Sequence, residues 1–204
     1  MNVGQSVSKA IDEWEAGDLD SAMMHACNAV DNTAKRTYPN MFSSNARFTR
    51  LLRDNYSILG PMGLVVPGWD LVNYRFNIKL DNPKAPGGIP DTADVIYGIH
   101  RCCHSHGEAL PEGFELFADA RGESTHFFHD VRGGKVRLSD RAIFALLAVV
   151  VYAPVNKACQ AKDGYFLTYY NNKMIINESW GRLSELKALI KREPPGEMIV
   201  EEYE

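Results

Sequence analysis

Between Ile96 and Leu110, in IYGIHRCCHSHGEAL, one arginine (Arg101), three histidines (His100, His104 and His106) and two cysteines (Cys102 and Cys103) crowd into seven residues. Arg101 is followed five positions later by His106, a pairing able to do acid-base work on a phosphodiester without a metal. A guanidinium is permanently charged and grips two phosphate oxygens at once, whereas an imidazole titrates near neutrality and takes or gives a proton. His100 and His104 stand four apart with Cys103 beside them, the start of a metal site, but no second CxxC or HxxxH pair completes a tetrahedral set. No metal and no cofactor are therefore expected. Cys102 and Cys103 read as small apolar fillers, since no partner at a cysteine-hydrolase spacing accompanies them. Arg121 and His126 repeat the five-residue spacing between two extended segments, which shows that spacing alone does not make a site.

The cluster needs a helix to carry it. Asp91, after Pro90, is placed to cap a helix running through Ile96 and Ile99, and Gly107 with Pro111 stops it. Five residues on an ideal helix turn about 500°, leaving Arg101 and His106 roughly 140° apart unless the helix loosens near Gly107 or a second chain completes the site. Asp94, about two turns before Arg101, shares its face on an ideal helix and would either orient the arginine indirectly or stay solvated. Arg47, Arg50 and Arg53 recur every three residues, a cationic stripe that is either a solvated surface or a track for RNA.

Around that helix the periodicity predicts a mainly α chain. Ser6 to Ala16 forms a first helix ended by Gly17, and Asp18 caps a second over Leu19–Thr37. In the second, Ala22, Met23, Ala26, Ala29, Val30, Thr33 and Ala34 make a narrow stripe for close packing. A third helix spans Ala46 to Leu59 with Phe48, Leu51, Leu52 and Tyr56 inward, broken by Gly60, Pro61 and Gly63. Leu64 to Leu80 fits strand, loop or ragged helix, and Asp81 to Pro90 is a loop by composition. Gly113 to Ala118 and Thr125 to Leu138 look extended, the second folding into a hairpin at Arg132–Lys135. A very apolar helix, Asp140 to Ala153, is followed by a second hairpin, Tyr165 to Ile176, turning at Asn171–Asn172, and by an amphipathic helix from Glu178 to Lys191. Residues 1–192 are read as one domain and 193–204 as a tail.

The 204 residues, 45% of them hydrophobic, suffice for a buried core. Ala142 to Val155 falls short of the roughly 20 residues needed to span a bilayer, and no signal-like start precedes it, so a cytoplasmic protein with free thiols and no membrane contact is expected. A net charge of −4 argues against an electrostatically driven nucleic-acid coat protein but leaves room for a local basic patch. There is no GxxxxGK[ST], no GxGxxG after a strand and no GxSxG, which disfavours ATP-driven, dinucleotide-dependent and serine-hydrolase chemistry.

The stretch from Ile96 to Pro111 resembles the motif helix of the HEPN superfamily, helical domains marked by Arg, four to six residues, then His. It shares the aliphatic and aromatic residues before the arginine and a Gly-Glu after the histidine. The segment AIDEWEAGDLDSAMMHACNAVDNTAKRTYP is similar to the first helical hairpin of such proteins. The resemblance covers about a third of the chain and implies a HEPN-like helical bundle decorated with two β-hairpins. It implies that Arg101 holds the scissile phosphate and His106 handles the proton of the RNA 2′-hydroxyl or of the leaving group. Position along the chain adds Asp94, Cys102 and His104 as supporting candidates and Arg47, Arg50 and Arg53 as candidates for meeting RNA, although many active relatives carry a polar residue where this chain has Cys102. The resemblance further implies a homodimer whose motif helices face each other, and a metal-independent endoribonuclease of toxin or antiphage type with an antitoxin or other regulatory partner. The alternative is a non-catalytic dimeric module that binds a nucleotide, RNA or a protein.

Overall fold

The computed structural model describes residues 1–64, 71–101, 113–120, 128–130 and 135–193. The chain is mainly α with small β additions. Helix α1 spans Val3–Ala16, starting at a reciprocal capping box between Asn2 and Gln5 and ending at Gly17, whose φ of 86° lets it cap without strain. Asp18 accepts from the Ser21 N–H and caps α2, Leu19–Thr37, with the bounds the sequence predicts. The small stripe of α2 is fully buried, which allows α2 to lie along α1 and against the helices Ser44–Arg53 and Arg141–Tyr152.

Helix α3 covers Ser44–Arg53 and is shorter than its periodicity suggests. The Asn55 side-chain amide donates to the Leu51 carbonyl (2.9 Å), a local bond that competes with the helical ladder, and the chain restarts as the single turn α4, Tyr56–Leu59. Phe48, Leu51, Leu52 and Tyr56 still reach the core as expected. A wide turn, Gly60–Leu64, follows; Gly63 has φ 156°, and a Cβ there would lie 2.4 Å from the Arg141 carbonyl oxygen. Residues 71–90 hold no strand and only a 3₁₀ turn at Pro86–Gly88, yet Phe76 is fully buried and its N–H donates to the Pro90 carbonyl (2.8 Å).

The expected central helix is described as far as Arg101, its remainder and its stop at Gly107 and Pro111 lying outside the described residues, and that part is not a uniform α-helix. Asp91 caps α5, Thr92–Val95, through a capping box with Asp94, and the chain then widens into a π-helical segment, Ile96–Arg101. Gly98 sits in the middle of this segment, where the lack of a side chain eases unwinding.

Three strands form one sheet in the order β1 (Phe114–Phe117), β3 (Lys135–Ser139), β2 (Phe128–Asp130). β2 and β3 pair antiparallel, as a hairpin requires, whereas β1 joins β3 in parallel with Phe114 opposite Val136. The first β addition is therefore a hairpin extended by a third, non-local strand; its turn at 131–134 lies outside the described residues. Helix α6, Arg141–Tyr152, is buried from Ala142 to Tyr152 apart from a half-buried Phe144, the expected core helix. The second hairpin pairs β4 (Phe166–Tyr169) with β5 (Asn172–Ile175) around Tyr170 and Asn171. The final amphipathic helix is split into α7, Ile176–Ser179, and α8, Leu183–Arg192. Gly181 makes the break: its φ is 77°, its N–H donates to the Val151 carbonyl (2.9 Å), and a Cβ would meet Lys157 Cβ at 2.6 Å. One contiguous buried cluster runs from Val3 to Leu186. Residues 194–204 of the expected tail lie outside the described part.

Candidate functional site

Arg101 closes the π-helical segment and is half-buried, with its guanidinium turned toward α2. Its Nη2 donates to Asp31 Oδ2 (3.5 Å). Arg47, from the first turn of α3, donates through Nη2 to the other oxygen of the same carboxylate (3.4 Å). Two guanidinium groups thus share one carboxylate, leaving a net positive charge of one among these three side chains. The Nε atoms of both Arg47 and Arg101 are buried and lack a hydrogen-bond partner among the described residues. A buried cationic donor without an acceptor is costly, and an added anion would relieve that cost.

Aromatic packing fixes the position. The Arg101 guanidinium lies 5.6 Å from the centre of the Tyr97 ring. Tyr97 in turn meets Phe48 edge-on at 5.3 Å, and its hydroxyl shares a hydrogen bond of 3.1 Å with the Ser44 hydroxyl. The arginine is therefore held by a cation–π contact on one side and an ion pair on the other. Arg47 also donates through Nη1 to the Phe42 carbonyl (3.5 Å), and the Phe42 side chain is 94% exposed.

The structure revises the surroundings expected for this site. Asp94 is buried rather than solvated, and its ion pair is with Arg53: it is 3% exposed and accepts from the N–H groups of Lys84 (2.8 Å) and Ala85 (2.9 Å). The physical reason is the π-helical segment, which changes the phase of Arg101 relative to α5, so the two-turn spacing no longer puts both on one face. The arginine stripe also separates into three environments. Arg47 joins Asp31. Arg50 is exposed, 3.5 Å from Asp54 and stacked over the Tyr38 ring at 5.1 Å. Arg53 is committed to Asp91 and Asp94 and is half-buried rather than part of a shared cationic track. Burial raises the Asp91 carboxyl, but Arg53 and the Asp94 N–H outweigh it and hold it below the usual carboxylate value.

Cys102, His104 and His106 lie outside the described residues, as do Cys103 and the Arg121/His126 pair. Among the described residues no group of three or more metal-ligating side chains is brought together, and no helix is long and apolar enough to cross a membrane. Asp31, Tyr97 and Ser44 were not marked by motif spacing. Asp31 stands 70 residues from Arg101, and only the packing of α2 against the π-helical segment brings the two together.

A family model described as Rv1289 matches residues 2–202. The uncharacterized proteins Rv1289 of Mycobacterium tuberculosis and Mb1320 of Mycobacterium bovis are each 35% identical to this chain over 190 residues, which is 93% of this chain and 88% of theirs. No solved structure matches it. Coverage of nearly the whole chain, by the family model and by both relatives, makes this protein a member of the Rv1289 family.

Proposed function

We propose that the protein is a HEPN-like, metal-independent endoribonuclease in which Arg101 grips the scissile phosphate and His106 moves the proton of the 2′-hydroxyl or leaving group. The observation that carries this reading is the sharing of one carboxylate, Asp31, by Arg47 and Arg101, with both Nε donors unpartnered among the described residues. That surplus of cationic donors suits a phosphodiester. Arg47 becomes the second phosphate contact, while Arg53 is reassigned from RNA binding to a structural clamp. Phe42, exposed beside Arg47, offers a ring on which a base flanking the phosphate can stack. A second copy of the chain would bring two Arg101/His106 sets together and complete the site in a homodimer.

RNA digestion by the full chain in the presence of chelator tests the reading, with Arg101→Ala and His106→Ala as variants and cyclic-phosphate ends as the product signature. Loss of a general acid or base lowers rate by about 10² to 10⁴, well within the range of the assay. Cleavage that survives both substitutions overturns the proposal. RNA binding without cleavage by the unaltered chain would leave a binding module built on the same residues.

A further inference from the structure

A cavity that shares no lining residue with the Arg101 site opens where the C-terminal end of α1, the N-terminal end of α6 and β4 meet. Its volume is about 440 Å³, in the range of small-molecule sites. Aromatic rings form much of the wall. Trp14 and Phe144 meet edge to face with centroids 4.8 Å apart, and Tyr165 and Phe166 enter from the hairpin.

This wall is pre-organised. Trp14 Nε1 donates to Asp140 Oδ2 (2.6 Å), and Asp140 Oδ1 accepts in addition from the N–H groups of Asp119 and Ala120, so the indole is anchored to a fixed carboxylate. The Tyr165 hydroxyl donates to Asp12, and Lys162 bonds to both. The rings are thereby held by their polar ends, and neither is free to swing inward and fill the space.

The charge on the lining selects the ligand. Glu15 and Asp163 both border the cavity. Glu15 is exposed and forms no ion pair among the described residues, and the Asp163 carboxylate accepts from the neutral Asn177 amide (2.8 Å). Three cations stand near them, and Lys162 is offset by Asp12 (3.0 Å). Arg141 is already engaged by Asp119, through Nε to the carboxylate (3.3 Å) and Nη2 to the carbonyl (3.2 Å). Lys173 lies over the Phe166 ring at 4.0 Å. With Arg141 offset by Asp119, the two lining carboxylates outnumber the one lysine beside the Phe166 ring, so that among the described residues one negative charge remains uncompensated near electron-rich ring faces. Aromatic faces attract cations, and a flat apolar body fills such a space with little loss of its own conformational freedom.

We infer that this cavity binds an aromatic ammonium compound, a planar ring bearing a protonated amine, with the ring among Trp14, Phe144 and Phe166 and the amine at Glu15 and Asp163. Calorimetric titration of the full chain with tryptamine tests this, and indole-3-propionate serves as a probe with the same ring and the opposite charge. Tryptamine is expected to bind at least about tenfold more tightly than indole-3-propionate, and the Glu15→Gln/Asp163→Asn double variant is expected to lose about that factor. Both carboxylates are exposed, so the double variant should fold; circular dichroism and an unchanged melting temperature verify it. Phe166→Ala, at a ring already 43% exposed, should weaken tryptamine as well and keeps the test independent of the carboxylates. Equal affinity for the two probes, unchanged tryptamine affinity in the double variant, or no tryptamine binding at millimolar concentration would each overturn the inference.

Discussion

Arg53 forms a two-pronged bond to Asp91, Nε to Oδ2 at 2.7 Å and Nη2 to Oδ1 at 2.9 Å, and the same Nη2 lies 2.9 Å from Asp94. One guanidinium thus ties the last turn of α3 to the capping box of α5, the element that leads into Arg101. Both carboxylates are nearly inaccessible to water, so removing the cation strands them. Arg53→Ala is expected to destabilise the fold by about 3 kcal/mol, and Arg53→Lys to recover only part of it because an ammonium cannot form the fork. Because the folded Asp91 carboxyl sits below its unfolded value, its share of stability is present above about pH 3.9 and is lost as pH falls through the folded pKa. Denaturant melts of the variants at neutral pH and below pH 4 measure both effects; an unchanged midpoint in Arg53→Ala removes the clamp.

The parts of this arrangement that depend on neighbours in sequence were legible, and the parts that depend on the return of the chain were not. Asp18 and Asp91 announce their helices because a cap is a local bond, and the all-apolar run of α6 can only be a core helix. The Arg47, Arg50 and Arg53 spacing does not reveal which acids meet it, since Asp31, Asp91 and Asp94 come from other elements. The widened turn at Ile96–Arg101 defeats any argument from a 3.6-residue period, so a seven-residue spacing does not relate Asp94 to Arg101 as it would on an ideal helix. The parallel pairing of β1 with β3 is likewise a non-local choice that alternation within either strand cannot indicate.

Asp31 bears on the affinity of the proposed phosphate site. Its carboxylate occupies donors that a phosphate would use, and it also holds Arg101 in place. Asp31→Asn removes the competing charge. It should tighten RNA binding several-fold at low salt while lowering the rate of cleavage, because the guanidinium loses the partner that orients it. Filter binding and single-turnover cleavage in chelator separate the two. Arg47→Ala should weaken binding and reduce the slope of log affinity against log salt by roughly 0.7, the amount for one phosphate contact on a single strand. An unchanged slope would place Arg47 off the RNA.

Phe42 is 94% exposed, so its ring adds little to folding and its removal should leave the melting temperature unchanged. If a base stacks there, Phe42→Ala will weaken single-stranded RNA by about tenfold, and Phe42→Trp will restore affinity and show fluorescence quenching on binding. Sedimentation of both variants checks the competing use of the ring in self-association. A change in oligomeric state with no change in RNA affinity would reassign it.

His25, on α2, provides a pH test independent of RNA. Its Nδ1 is buried without a hydrogen-bond partner among the described residues, and desolvation, assisted by Lys9, lowers its pKa against the pull of Glu13 and Asp18. The folded chain therefore holds this ring neutral at pH values where the unfolded chain, with a pKa near 6.5, takes up a proton. Stability should fall as pH drops below about 6.5 and level off for this group once pH passes the lowered folded pKa, where both states are protonated. His25→Asn should flatten that slope while the remaining histidines keep theirs, so the informative quantity is the difference between the two melting-temperature profiles. Parallel profiles across the window would show that this imidazole titrates alike in both states, and that its buried nitrogen finds water in solution.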